Sequence, residues 1–160
     1  MDRIKLYEEF RKIGKKDFMV HSLSGIAVIV EDRILLVHPK KFKKDSDKWS
    51  IPKGHVEGND SLKSALTELK EESGIELGEN YDDVVKIDYK KSGTFKFMDV
   101  YIYYLNKEDV SKYLKGDWEI GKKFYDKKEV FRCKFFKFGS ARNKIELNMI
   151  DIIDHIEKSS

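Results

Sequence analysis

The reading of this chain turns on one stretch: Gly54-His55-Val56-Glu57-Gly58-Asn59-Asp60-Ser61-Leu62-Lys63-Ser64-Ala65-Leu66-Thr67-Glu68-Leu69-Lys70-Glu71-Glu72-Ser73-Gly74-Ile75. Its larger part predicts a helix over residues 60–73. Leu62, Ala65, Leu66 and Leu69 fall at i, i+3, i+4 and i+7, a single apolar stripe. Asn59, Asp60 or Ser61 can cap its start, and Gly74 suits the left-handed position that ends it. Measured around the axis from Leu62, Glu68, Glu71 and Glu72 lie at about 240°, about 180° and about 280°. They share one face, away from the stripe, at a spacing that lets side chains converge.

Three neighbouring carboxylates repel one another. They also sit toward the helix C-terminus, where the macrodipole disfavours negative charge. A bound cation would relieve both effects. The hard oxygen donors suit Mg²⁺, with Mn²⁺ as the alternate. Spacing alone fits a solvated acidic face as well. The preceding segment, Ile51-Pro52-Lys53-Gly54-His55-Val56-Glu57-Gly58, adds two glycines and a lysine ahead of the helix. Glycine permits close backbone approach, and exposed amides beside a lysine suit a phosphate. The carbonyl of Lys53 or Gly54 could add a metal ligand; an ordinary tight turn is the alternative.

Working outward, Ser24–Val30 is a short β-branched run and Arg33–His38 a second, joined by the turn signal Glu31-Asp32. Trp49-Ser50-Ile51 is expected as a short strand stopped by Pro52. Strand-like runs follow at Val84–Lys91 and Phe95–Leu105, joined through Ser92-Gly93-Thr94. Residues 107–115 are expected as a short helix and Val130–Phe138 as a strand. Residues 140–157 are expected as a closing helix with Ile145, Met149, Ile152, Ile153 and Ile156 on one face. Residues 1–16 form an expected N-terminal helical extension to a single domain over 1–160. Strands and helices mix without regular alternation, so the class is α+β, or mixed α/β.

Composition narrows the class further. Charged residues make up 38% of 160, yet 32 Lys and Arg against 29 Asp and Glu leave a net charge of only +3. Apolar content of 40% argues against disorder. The longest apolar run, Ile26–Val30, is far short of a membrane helix, which takes about 20 residues. Met1-Asp2-Arg3-Ile4-Lys5 lacks the apolar core of a secretory signal, and the expected location is the cytoplasm. A lone cysteine, Cys133, permits no internal disulfide and no thiolate zinc cluster. Its place in a strand-like run reads as packing.

The stretch 54–75 resembles the Nudix box. Glu68-Leu69-x-Glu71-Glu72-x-Gly74-Ile75 matches the second half of that pattern in register. Thr67 stands where the family has arginine, Asn59 where it has its first glutamate, and the loop is one residue short. The resemblance implies a Nudix-like α/β/α sandwich with a mixed central sheet. It also implies Mg²⁺-dependent hydrolysis of a nucleoside diphosphate linked to another group. Glu68, Glu71 and Glu72 would be metal ligands and catalytic residues, with the Gly54 carbonyl and Glu57 as further metal contacts. Glu71 or Glu72 would take a proton from the attacking water.

The run Trp49–Glu57 is similar to dinucleoside tetraphosphate hydrolases of that superfamily, and related Pro-Lys-Gly segments occur in messenger-RNA decapping members. A small nucleotide, a dinucleoside polyphosphate or a nucleoside triphosphate, is therefore the expected substrate, with RNA 5′-end hydrolysis as the alternative. A domain that binds nucleotide without turnover is the third reading, suggested by Asn59 and Thr67. Lys53, His55, Lys41 and Lys43 are the expected phosphate-binding residues. Residues 40–53 carry six lysines against two aspartates, next to an acidic helix. A second basic stretch, Lys112–Lys137, interleaves Tyr113, Trp118, Phe124 and Tyr125. It reads either as a grip for RNA or as a charged surface over core aromatics.

Overall fold

A computed structural model of the chain describes residues 23–42, 46–77, 83–87 and 98–159. The expected N-terminal helix, Lys43, and the connection at 92–94 lie outside the described residues.

The centre is a pair of apolar strands, β1 (Leu23–Val30) and β2 (Arg33–Pro39), joined as a hairpin. They are buried on both faces, which is why their sequences run apolar without alternation. Ala27, Ile29, Ile34 and Leu36 face one core; Ile26, Val28, Val30, Leu35 and Val37 face the other. Outward from this pair run β3 (Lys53–His55), β4 (Val85–Lys86), β5 (Met98–Leu105), β6 (Leu114–Gly116), β7 (Glu119–Ile120) and β8 (Val130–Lys137). The sheet order is β4-β5-β1-β2-β8-β7-β6, with β3 added antiparallel to β1. β1 and β5 are parallel, and the other pairings are antiparallel, so the sheet is mixed as expected.

Helix α1 (Ser61–Ser73) covers one face through Ala65 and Leu69. Helix α2 (Lys107–Val110) leads into a single 3₁₀ turn at Ser111–Tyr113, shorter than the helix expected over 107–115. The opposite face is covered by α3 (Phe138–Lys144) and α4 (Ile150–Lys158), through Ala141, Ile152, Ile153 and Ile156. The sandwich is therefore α/β/α.

Two local expectations are corrected. The closing helix is broken at Ile145-Glu146. Trp49 N–H donates to the Lys144 carbonyl and Glu146 N–H donates to the Trp49 carbonyl, both at 2.9 Å, so these backbone groups serve a bridge and not a helix. Trp49-Ser50-Ile51 makes isolated bridges, and the regular strand begins after Pro52, at Lys53.

Candidate active site

Helix α1 is fixed at both ends by the residues its sequence offers. The Asp60 carboxylate accepts the Lys63 N–H at 2.9 Å, and Ser64 Oγ donates to the Asp60 carbonyl. The same Ser64 Oγ accepts the Glu57 N–H at 3.0 Å, tying the preceding loop to the first turn. Gly74 closes the helix at φ +82, its N–H donating to the Lys70 carbonyl at 2.8 Å. No larger residue fits there: a Cβ would lie 2.3 Å from the Phe124 carbonyl. The helix therefore meets β3 at one angle, with its acidic residues turned toward Lys53-Gly54-His55.

Glu68, half-buried, lies against Gly54 so closely that a Cβ there would sit 2.2 Å from its Oε1. Glu71, one turn on, is exposed. Both meet Glu129, from the segment before β8: one carboxylate oxygen from each of the three falls within 4.8 Å of the others. Sequence reasoning did not find Glu129. It lies in a basic stretch more than fifty residues beyond the helix, brought in by the pairing of β8 with β2, by Lys40 N–H donating to the Glu129 carbonyl at 2.8 Å, and by Asp126 N–H donating to the Glu71 carbonyl at 2.8 Å.

Glu72 does not join that trio. It is buried, and its Oε1 accepts the Lys53 N–H at 3.2 Å, so it clamps the helix to β3. The i, i+3, i+4 spacing correctly places the three glutamates on one side, but the two faces of that side differ. Glu68 and Glu71 open to the cluster, whereas Glu72 is buried against the Lys53 N–H, close enough for Glu68 and Glu129 to act on it.

Charges confirm the crowding. Burial pushes the Glu68 carboxyl up to about 7, and the carboxylates of Glu71, Glu129 and Glu57 push the same way. Glu72 is pushed up to about 8, chiefly by burial, against the Lys53 N–H that favours its charged form. Glu71 is raised by burial and by Glu129, Asp126 and Glu57. Glu57 thus stands close enough to act on the cluster, though its own oxygen is outside the trio. The donor set is hard oxygen throughout, and among the described residues no cationic side chain pairs with Glu68, Glu71 or Glu129. That chemistry fits a divalent cation of the Mg²⁺ or Mn²⁺ type.

The Lys53 backbone N–H reaches Glu72, but its mostly buried side chain points to the other face of β3 from Gly54, with Nζ 3.9 Å from Glu146 Oε2. Burial and the neighbouring Lys41 lower its pKa. Lys41 is exposed, its Nζ 5.2 Å from the Phe42 ring. His55 is exposed at the end of β3, paired in register with Leu23. Thr67, in the place of the expected arginine, donates to the Lys63 carbonyl at 2.9 Å on the exposed side of the helix. Of the aromatics in the second basic stretch, Tyr113 and Tyr125 are buried in the core, and Trp118 is flanked by Arg33 and Lys107.

A family model described as the NUDIX domain matches residues 20–156. Among solved structures, the chain is similar to an Ap4A hydrolase of C. elegans in a binary complex, at 18% identity and a TM-score of 0.56, covering 85% of this chain and 96% of that one. It is also similar to a bifunctional NMN adenylyltransferase/ADP ribose pyrophosphatase of Francisella tularensis, complexed with AMP and a manganese ion. That match has 19% identity and a TM-score of 0.58, and covers 98% of this chain but 46% of the other. A MutT/nudix family protein from Listeria innocua matches at 18% identity and a TM-score of 0.52, covering 86% of this chain and 90% of that one.

Proposed function

The chain belongs to the NUDIX domain family, and from that membership we propose that it is a divalent-metal-dependent pyrophosphohydrolase of a nucleoside diphosphate linked to a further group. A dinucleoside polyphosphate is the leading substrate, ahead of a nucleoside triphosphate. The observation that carries this is the convergence of Glu68, Glu71 and Glu129, with Glu68 packed against Gly54. The similarity of Trp49–Glu57 to dinucleoside tetraphosphate hydrolases supports the choice of substrate.

Glu68, Glu71 and Glu129, with the Gly54 carbonyl, would hold Mg²⁺. When bound, the ion supplies charge neutralisation at the phosphates and a more acidic water. Lys53 offers a cation for phosphate oxygens beyond that ion's reach, with Lys41 on its outer side. Glu71, the exposed member of the helix pair, is the residue that takes the proton of the attacking water. Glu72 is a positioning residue: it holds the Lys53 N–H and so keeps Gly54 against Glu68.

The test is a Mg²⁺-dependent hydrolysis panel of dinucleoside polyphosphates, nucleoside triphosphates, a nucleotide sugar, triphosphorylated RNA and capped RNA. Turnover should be greatest on a dinucleoside polyphosphate and fall by about 10²–10⁴-fold in Glu71→Gln, the range for loss of a general base. Binding of nucleotide with no turnover of any substrate would favour a non-catalytic domain. Turnover undiminished in Glu71→Gln would remove that residue from the mechanism.

A further inference from the structure

A second concavity lies between the C-terminal end of β2 and the segment that enters β8. It has a volume of about 520 Å³, and none of its lining residues belongs to the carboxylate cluster. Sites for small organic ligands are typically about 300–1,000 Å³. Its lining combines aromatic rings with cationic side chains, Lys40 lying over the Phe131 ring and Arg132 over the Trp49 ring.

The aromatic part of the lining is built from three rings. His38 stacks on Trp49 with centroids 5.2 Å apart, and Phe131 leans on His38 at 5.3 Å. His38 is only 5% exposed, and its Nε2 is buried without a hydrogen-bond partner, while the Ser46 backbone hydrogen-bonds to the ring. Buried polar atoms in folded proteins are nearly always satisfied. His38 lines the cavity with its ring, and its Nε2 is an unsatisfied acceptor behind that lining.

Among the described residues, the cationic part of the lining holds Lys40, Lys122, Lys127 and Arg132 against one carboxylate, Asp47. Arg132 is already paired with Glu119, and Asp47 with Lys144 at 2.8 Å. Neither therefore changes the local balance much. Lys40 sits 5.3 Å over the Phe131 ring. Among the described residues, neither Lys122 nor Lys127 forms an ion pair. Lysines gathered at a walled cleft focus a positive potential on it, and lose that repulsion when an anion enters.

We propose that this cavity is a second ligand site and that it takes a nucleoside monophosphate, with the phosphate on Lys122 and Lys127 and the base and sugar toward Phe131 and His38. Inorganic phosphate would fill only a corner of the volume and leave the aromatic rings unused. An uncharged nucleoside would leave the lysines unpaired. A nucleoside monophosphate meets both the rings and the lysines of the lining. The site goes beyond the hydrolytic reading, since it needs no metal and no scissile bond.

The experiment is calorimetric titration of AMP into the full chain in the presence of a chelator, with adenosine and inorganic phosphate as separate titrants. AMP should bind, and each of the other two should bind at least about tenfold more weakly. The double variant Lys122→Glu/Lys127→Glu should weaken AMP by about tenfold or more, while Lys53→Ala leaves it unchanged. Both lysines are exposed, and a melting curve establishes that the variant is folded. In the unaltered protein, AMP should also shift the Trp49 indole N–H resonance. Absence of AMP binding at millimolar concentrations, or binding lost in Lys53→Ala and kept in the double variant, would overturn the proposal. The titration contains no divalent metal and reads no turnover, so its failure would leave the hydrolytic reading untouched.

Discussion

Glu129 enters the carboxylate trio from outside the helix that supplies the other two. Its oxygen lies within 4.8 Å of ligand oxygens of both Glu68 and Glu71. Glu57 is also acidic and acts on both glutamates from a distance, but its N–H is committed to Ser64 and its oxygen is outside the trio. The two residues should therefore behave differently. Glu129→Gln should lower Mg²⁺-dependent turnover by at least about tenfold and raise the Mg²⁺ concentration needed for half activity, since losing even an outer-shell partner of a metal ligand typically costs about 10–100-fold. Glu57→Gln should change either quantity by less than a few-fold. A magnesium titration of the rate in each variant checks this, and equal effects would exclude a separate role for Glu129. At this scale the sequence was legible where chemistry is local. Glu68 and Glu71 stand on one helical face because of 3.6-residue periodicity, and Gly54 opposes them. Glu129 was illegible because its position depends on backbone contacts between segments more than fifty residues apart. The burial of Glu72 was illegible for a related reason: periodicity gives an angle around the helix but does not say what packs over it.

The element that matters most is α1, and its ends carry more of the site than its middle. Its N-cap Asp60 and C-terminal Gly74 are both legible from residue type, since one supplies an acceptor for orphan amides and the other a left-handed φ. Their removal should act by different routes. Asp60→Ala loses a capping bond and should cost about 1 kcal/mol. Gly74→Ala adds strain at φ +82 and drives a methyl group into the Phe124 carbonyl, 2.3 Å from the ideal Cβ position. That combination should cost more than the cap, about 2 kcal/mol or above. Urea denaturation of the two variants measures the difference, and a Gly74→Ala protein as stable as the unaltered one would contradict the packing described for this turn. The elements missed by sequence share a cause. The closing helix is interrupted, and the strand after Pro52 displaced, because the backbone at Trp49 and Glu146 satisfies itself across 96 intervening residues. A pattern of apolar side chains carries no record of that exchange.

Across the whole molecule, a net charge of +3 conceals an anionic cluster set beside lysine-rich walls. Folding without metal forces the cluster's carboxylates together, and the consequence is a pH dependence with a definite sign. Glu68 and Glu72 are raised in the folded state to about 7 and about 8, from an ordinary value of 4.5. The folded state therefore binds protons more tightly than the unfolded chain at these two groups. Their stabilising contribution is present below the unfolded value and is lost as pH rises through 7 and 8. Two groups oppose this trend: burial lowers the pKa of His38, which destabilises on the acid side of 6.5, and burial also lowers that of Lys53. The informative window is thus from about pH 7 to about pH 9, where His38 is neutral throughout. Over it the chelated protein should lose about 1–3 kcal/mol of stability, and Glu72→Gln should flatten the loss. Mg²⁺ should reverse it, because a cation favours the ionised carboxylates, so its stabilising effect should be larger at the alkaline end of the window than at its start. Thermal melts across the window, with chelator and with Mg²⁺, read both quantities. A chelated protein whose melting temperature stays level or rises toward pH 9 would mean that the cluster is not frustrated. A Mg²⁺ effect independent of pH would mean that the ion is held elsewhere than on these carboxylates.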